Sequence, residues 1–226
     1  MPDDALAAPS RPWPALVVSA LFHPLLLPTY IFLLLVGINP YLFGTTELGD
    51  SRAMGNLILI FLDTFVIPVI AVFIMARLNM INSMMMEEKS ERIGPLLLVM
   101  VLYFWIYWNF NKGNEMPTLF NSFMLGVVIA LVVAFVINLL DKISLHATGM
   151  GGLVAVSIIL LGAFGANSVS LGDWLVGPRL VVVLTVLLAG LVGTARLALG
   201  AHDRLQLYVG YSLGFVAQFV ALKFYY

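Results

Sequence analysis

The feature that most constrains this chain is a succession of apolar stretches, several of them about 18 residues long or more. A helix rises about 1.5 Å per residue, so about 20 apolar residues carry it across a hydrocarbon core of about 30 Å. Each such stretch therefore predicts a transmembrane helix. Composition agrees. Sixty-two per cent of the residues are hydrophobic and ten per cent are charged, where a soluble domain carries about a quarter charged residues. The predicted fold class is all-α, a polytopic membrane bundle of about six to seven transmembrane helices with little outside the bilayer. The net charge of -1 argues against a nucleic-acid partner. The absence of cysteine removes disulfides, thiolate chemistry and cysteine-ligated metal.

The chain begins Met1-Pro2-Asp3-Asp4, with Pro9, Pro12 and Pro14 before the first apolar run. An acidic start is not that of a signal peptide, and residues 1–14 are read as a disordered lead to one transmembrane domain over 15–226. Crossings are predicted over about 15–37, 54–77, 94–110, 118–140, 147–165, 178–197 and 205–223. Pro24 and Pro28 should break the first of them. The intervening stretch 166–177 is predicted as a loop. If the N-terminus lies on side A, then loops 78–93, 141–146 and 198–204 lie there too, and loops 38–53, 111–117 and 166–177 lie on side B.

That alternation gathers the polar residues. The three histidines, His23, His146 and His202, all fall at side A, with Lys89, Arg92, Lys142, Arg196 and Arg204. A pocket of cations and imidazoles suits a phosphate, because cations clamp its oxygens and histidine serves as nucleophile or general acid. Spacing sharpens the grouping. His202 and Gln206 are i,i+4, so the amide can touch the ring. Ser144 and His146 open a helix, where free backbone N–H groups favour anions. Lys89 and Arg92 share a face if their segment is helical.

These residues resemble, in order, the motifs of the type 2 phosphatidic acid phosphatase superfamily, K-x6-R-P, P-S-G-H and S-R-x5-H-x3-D. The third motif is matched by Ala195-Arg196, His202 and Gln206, the second by Ile143-Ser144-Leu145-His146, and the first by Lys89, Arg92 and Pro95 with altered spacing. The resemblance covers residues 87–214. It implies a metal-independent lipid phosphatase of the bacterial inner membrane, without a cofactor, acting on a lipid phosphate or diphosphate monoester. His202 would attack phosphorus and form a phosphohistidine, and His146 would protonate the leaving oxygen. Gln206 stands where the family has the aspartate that orients the nucleophile. Lys89, Arg92 and Arg196 would bind the phosphate oxygens, assisted by Ser144. An amide can hold the ring tautomer but cannot offset an imidazolium charge. A weak or inactive homologue that binds an anionic lipid head group is therefore a second expectation. A small transporter or accessory subunit using Asp63 is a third.

Plainer readings stand beside these. His23, a further site candidate, precedes Pro24 and is expected to hydrogen-bond at a helix start. Asp63 lies deep in the second crossing and is expected to make a structural hydrogen bond. Gly210 and Gly214 are expected to form a helix-packing face. Orientation is left open. Arg11, Arg77, Lys89, Arg92, Lys142, Arg196 and Arg204 on side A face Arg52, Lys112, Arg179 and Lys223 on side B. Once the three proposed ligands are set aside the two sides are equal, and the positive-inside rule decides nothing.

Overall fold

The structure is a computed structural model that describes residues 12–82, 86, 88, 90–113, 116–165, 169–171 and 174–226. Most of the N-terminal lead and Lys89 lie outside the described residues. Among the described residues, seven helical segments are long and apolar enough to cross a membrane, and the chain is an all-α, multi-pass membrane bundle.

The first crossing is broken where its prolines require. Helix α1 (Trp13–Leu21) stops before His23, a 3-10 turn covers Pro24–Leu26, and α2 (Leu27–Ile38) follows. Pro24 has no N–H and disfavours the helical conformation at the residue before it. His23 accordingly sits at ψ 133°, extended, and its Nδ1 accepts a hydrogen bond from the Leu25 N–H at 3.3 Å. Helix α2 then enters the core, where Ile31, Phe32, Leu35 and Val36 are buried and Phe32 packs edge-on against Phe43 and Phe120.

The second crossing joins α3 (Ser51–Phe61) to α4 (Ile67–Arg77) through one π-helical turn, Leu62–Val66. Pro68 explains the irregularity, because it cannot donate to the Thr64 carbonyl one turn before it. The freed carbonyl is satisfied from outside the helix. The hydroxyl of Tyr103, a side chain buried on α5 (Ile93–Gly113), donates to it at 3.0 Å. The Thr64 hydroxyl donates back to the Ile60 carbonyl at 2.8 Å.

Helices α6 (Thr118–Leu140), α7 (Leu145–Phe164), α8 (Pro178–Ala198) and α9 (Arg204–Leu222) complete the bundle. The contact between α7 and α9 is the most extensive of all, and small residues make it possible. A methyl group added at Gly214 would land on the Thr148 carbonyl oxygen, and one at Gly151 on the Tyr211 carbonyl oxygen. The expected packing role of Gly210 holds as well, since its Cα faces the Ser144 carbonyl and the Ala147 side chain.

One element departs from the sequence-based expectation. Within the stretch expected as a loop, β1 (Val169–Leu171) and β2 (Trp174–Val176) pair antiparallel into a short hairpin. Val-Ser-Leu and Trp-Leu-Val are strand formers too short to register as periodic. The hairpin lies beside α2. Helices also begin earlier than expected at Trp13 and Ser51.

Candidate functional site

Two local structures aim the histidines. At the α8–α9 turn, Gly200 adopts φ +62°, which a glycine takes without strain. Its N–H donates to the Leu197 carbonyl at 2.9 Å, and the Ala201 N–H donates to the Arg196 carbonyl at 3.2 Å. This is the Schellman closure of α8. It sets Arg196 on the last turn of α8 and His202 just beyond it. Asp203 caps α9, its side chain accepting from the Gln206 N–H at 2.8 Å. Asp203 is thereby committed to the helix end and does not orient His202.

At the start of α7, Ser144 is the cap. It has 0 % exposure, and its hydroxyl oxygen accepts from the Ala147 N–H at 3.3 Å. The cap fixes His146 in the first turn of α7. The close α7–α9 packing then brings this helix end toward the α8–α9 turn.

His146, His202, His23, Arg92 and Arg196 therefore meet at one end of the bundle. The His23 and His146 rings lie edge to face with centroids 5.3 Å apart. Both Arg196 and His202 lie within electrostatic reach of His146. Arg92 is anchored from the far side, its Nε donating to the Met86 carbonyl at 2.9 Å and its Nη1 to the Ile143 carbonyl at 3.2 Å. Ile143 immediately precedes the Ser144 cap, so Arg92 is tied to the segment that aims His146.

His202 is buried, at 8 % exposure. Its Nδ1 lies 3.0 Å from Gln206 Oε1. An amide oxygen only accepts, so Nδ1 carries the proton and donates. The other ring nitrogen, Nε2, is then the basic one, and it makes no hydrogen bond among the described residues. Burial holds the His202 imidazole down at about 4, the Gln206 carbonyl pulls it upward, and the charges of Arg92, Arg196 and Lys142 lower it further. At neutral pH the ring is uncharged with a free electron pair on Nε2.

Arg196 is the least satisfied group of the cluster. Its Nε is buried without a hydrogen-bond partner, and its Nη1 donates to the Ser19 hydroxyl at a long 3.4 Å. Among the described residues no carboxylate pairs with Arg196, while the Glu91 carboxylate acts on Arg92. A guanidinium so placed invites an anion.

Ser19 is the site neighbour that sequence reasoning missed. Its hydroxyl faces Arg196, and its carbonyl accepts from His146 Nε2 at 3.0 Å. The one available signal is that Ser19 is the sole hydroxyl in the otherwise apolar α1 sequence. His146 donates from Nε2 to this carbonyl, so its Nδ1 is the bare nitrogen in this arrangement.

Asp63 makes no hydrogen bond or ion pair with any described residue, although Phe65 of its turn packs edge-on against His23. The structural hydrogen bond expected for it is not formed, because Thr64 and Tyr103, the neighbouring hydroxyls, are committed to carbonyls. Among the described residues, no group of three His, Cys, Asp or Glu side chains is arranged to hold a metal ion. Comparison with protein-family models, with curated proteins and with solved structures finds no match for this chain.

Proposed function

We propose that this membrane protein is a metal-independent lipid phosphatase of the type 2 phosphatidic acid phosphatase kind, hydrolysing a lipid phosphate or diphosphate monoester. The observation that carries the reading is the under-satisfied Arg196 guanidinium, set among three histidines and Arg92 with no carboxylate beside it among the described residues. Such a cluster is short of one group, a multivalent oxyanion at the membrane surface.

The chemistry follows from the ring tautomers. Phosphate oxygens bind Arg196, in place of the Ser19 hydroxyl, and Arg92. His202 Nε2 attacks phosphorus while Gln206 holds the Nδ1 proton, and the P–O bond to the lipid breaks. With the phosphate anion bound, His146 takes a second proton on its bare Nδ1; its Nε2–H then leaves the Ser19 carbonyl for the departing oxygen, and His146, left neutral, takes a proton back from the water of the next step. Water then attacks the phosphohistidine, releasing phosphate and restoring neutral His202. The cations lower the negative charge that accumulates on the transferring group. A bacterial inner membrane is the setting this reading implies.

A second reading, binding of an anionic lipid head group without turnover, is favoured by one observation. Gln206 supplies no negative charge to stabilise a cationic His202. Phosphate release from phosphatidate, polyprenyl phosphate and polyprenyl diphosphate, measured with EDTA present, separates the two. Release that vanishes in His202→Ala supports the enzyme. Head-group binding without release supports the second reading.

A further inference from the structure

Asp63 lies within the Ser51–Arg77 crossing of 27 residues. It is about 18 Å of helix rise from Ser51 and about 21 Å from Arg77, which is the middle of the hydrocarbon. It is partly exposed and points to no partner among the described residues. The polar groups closest in sequence and packing are engaged elsewhere, the Thr64 hydroxyl with Ile60 and the Tyr103 hydroxyl with Thr64. On the same helix, Leu59, Ile67 and Ile70 are exposed around it. This crossing is the least buried of the seven, at 22 % of its most apolar window. It is also the one interrupted by a π-helical turn, and Asp63 lies within that turn. Such turns concentrate at functional positions.

A lone carboxyl group in hydrocarbon is costly, and it persists where something pairs with it. Nothing within the described chain does so. A second copy of the chain presents on this face only another Asp63 amid the same apolar side chains, so two copies can meet here only with a proton on the carboxyls, whereas a basic side chain pairs with the ionised group. A cation restores the balance. We infer that Asp63 is the polar anchor of a docking face for a second transmembrane helix, one that carries a basic side chain at mid-bilayer depth. The exposed Leu59, Ile67 and Ile70 supply the apolar contact, and Asp63 supplies the register. Phe65 of the same turn packs edge-on against His23, but Asp63 itself makes no bond to the histidine–arginine site.

The chain has no cysteine, so one dye can be placed at Ser51→Cys, on the exposed first residue of α3. The probes are synthetic leucine–alanine transmembrane helices bearing either one central Lys or a Leu at the same place. Energy transfer is measured in phosphatidylcholine vesicles with the full-length protein. The Lys helix is expected to associate about three- to twenty-fold more strongly than the Leu helix, the range of single polar contacts between membrane helices. Asp63→Leu should abolish that preference, and Asp63→Asn, which keeps size and hydrogen bonding, should retain a part of it. Equal association of both helices with the wild-type protein would overturn the inference, as would a preference that survives in Asp63→Leu. Asp63-dependent transfer between copies of the protein, without a preference for the Lys helix, would assign the face to a second copy and overturn it equally.

Discussion

Replacing Gln206 by Glu adds one negative charge at the point where the site lacks one. The two side chains have the same length, so a Glu oxygen can occupy the place of Gln206 Oε1, 3.0 Å from His202 Nδ1. With the imidazolium charge spread over the ring, the charges are separated by about 4 Å, and at an effective dielectric constant of about 20 their attraction is about 4 kcal/mol. Burying the new carboxylate costs part of this. Arg92, Arg196 and Lys142, which all act on His202, return some of that cost. A net gain of about 1.4–4 kcal/mol is the working range. Two results are expected. The His202 imidazole, held at about 4 in the native protein, should move up to about 5–7. Phosphate release should rise about 10- to 1000-fold if formation of the cationic phosphohistidine limits the rate. Gln206→Asp should gain less, because its carboxylate falls short by one C–C bond of about 1.5 Å. The assays are imidazole NMR titration in micelles and phosphate release at fixed pH. An unmoved His202 titration in Gln206→Glu would refute the geometry. A moved titration with an unchanged rate would refute the role given to His202 charge.

Other outcomes follow from the same contacts. Burial sets the folded His202 at about 4, below the ordinary 6.5, so the fold favours the neutral ring. Its contribution is complete above pH 6.5 and is lost as pH falls toward 4, by at most about 3 kcal/mol, and thermal unfolding in detergent should show that decline partly flattened in His202→Asn. His146→Ala should slow release of alkoxide leaving groups by about 100-fold or more while sparing p-nitrophenolate, since only the former need a proton. Gly214→Ala should destabilise the bundle by about 1–3 kcal/mol, because its methyl group meets the Thr148 carbonyl oxygen, and an unchanged unfolding temperature would contradict the close α7–α9 approach.

The legible parts of this molecule are those governed by short-range rules. Crossing number followed from apolar run lengths, the break at His23 from Pro24, and the His202–Gln206 contact from one helical turn of spacing. Counting crossings placed His23, Arg92, His146, Arg196 and His202 at one end, and the structure brings these together. Less was legible where partners come from distant segments. Ser19 meets His146 and Arg196 across more than a hundred residues of chain, and no local pattern marks it. The π-turn rests on Pro68 freeing a carbonyl and on Tyr103, far along the chain, satisfying it. The β1–β2 hairpin is too short for periodicity to register. The Ser144 hydroxyl, expected near phosphate, caps α7, a use that the Ser-Leu-His-Ala sequence permits equally.

The central claim is that His202 carries phosphate covalently during turnover. Incubating the purified protein with a lipid monoester labelled in its phosphorus, in EDTA, and quenching within the first turnovers tests this most directly. The expected result is label on the protein that is stable to base and labile to acid, as a phosphohistidine is, confined to the peptide containing His202 and absent from His202→Ala. Steady phosphate release with no protein-bound label, or label that persists in His202→Ala, would contradict it.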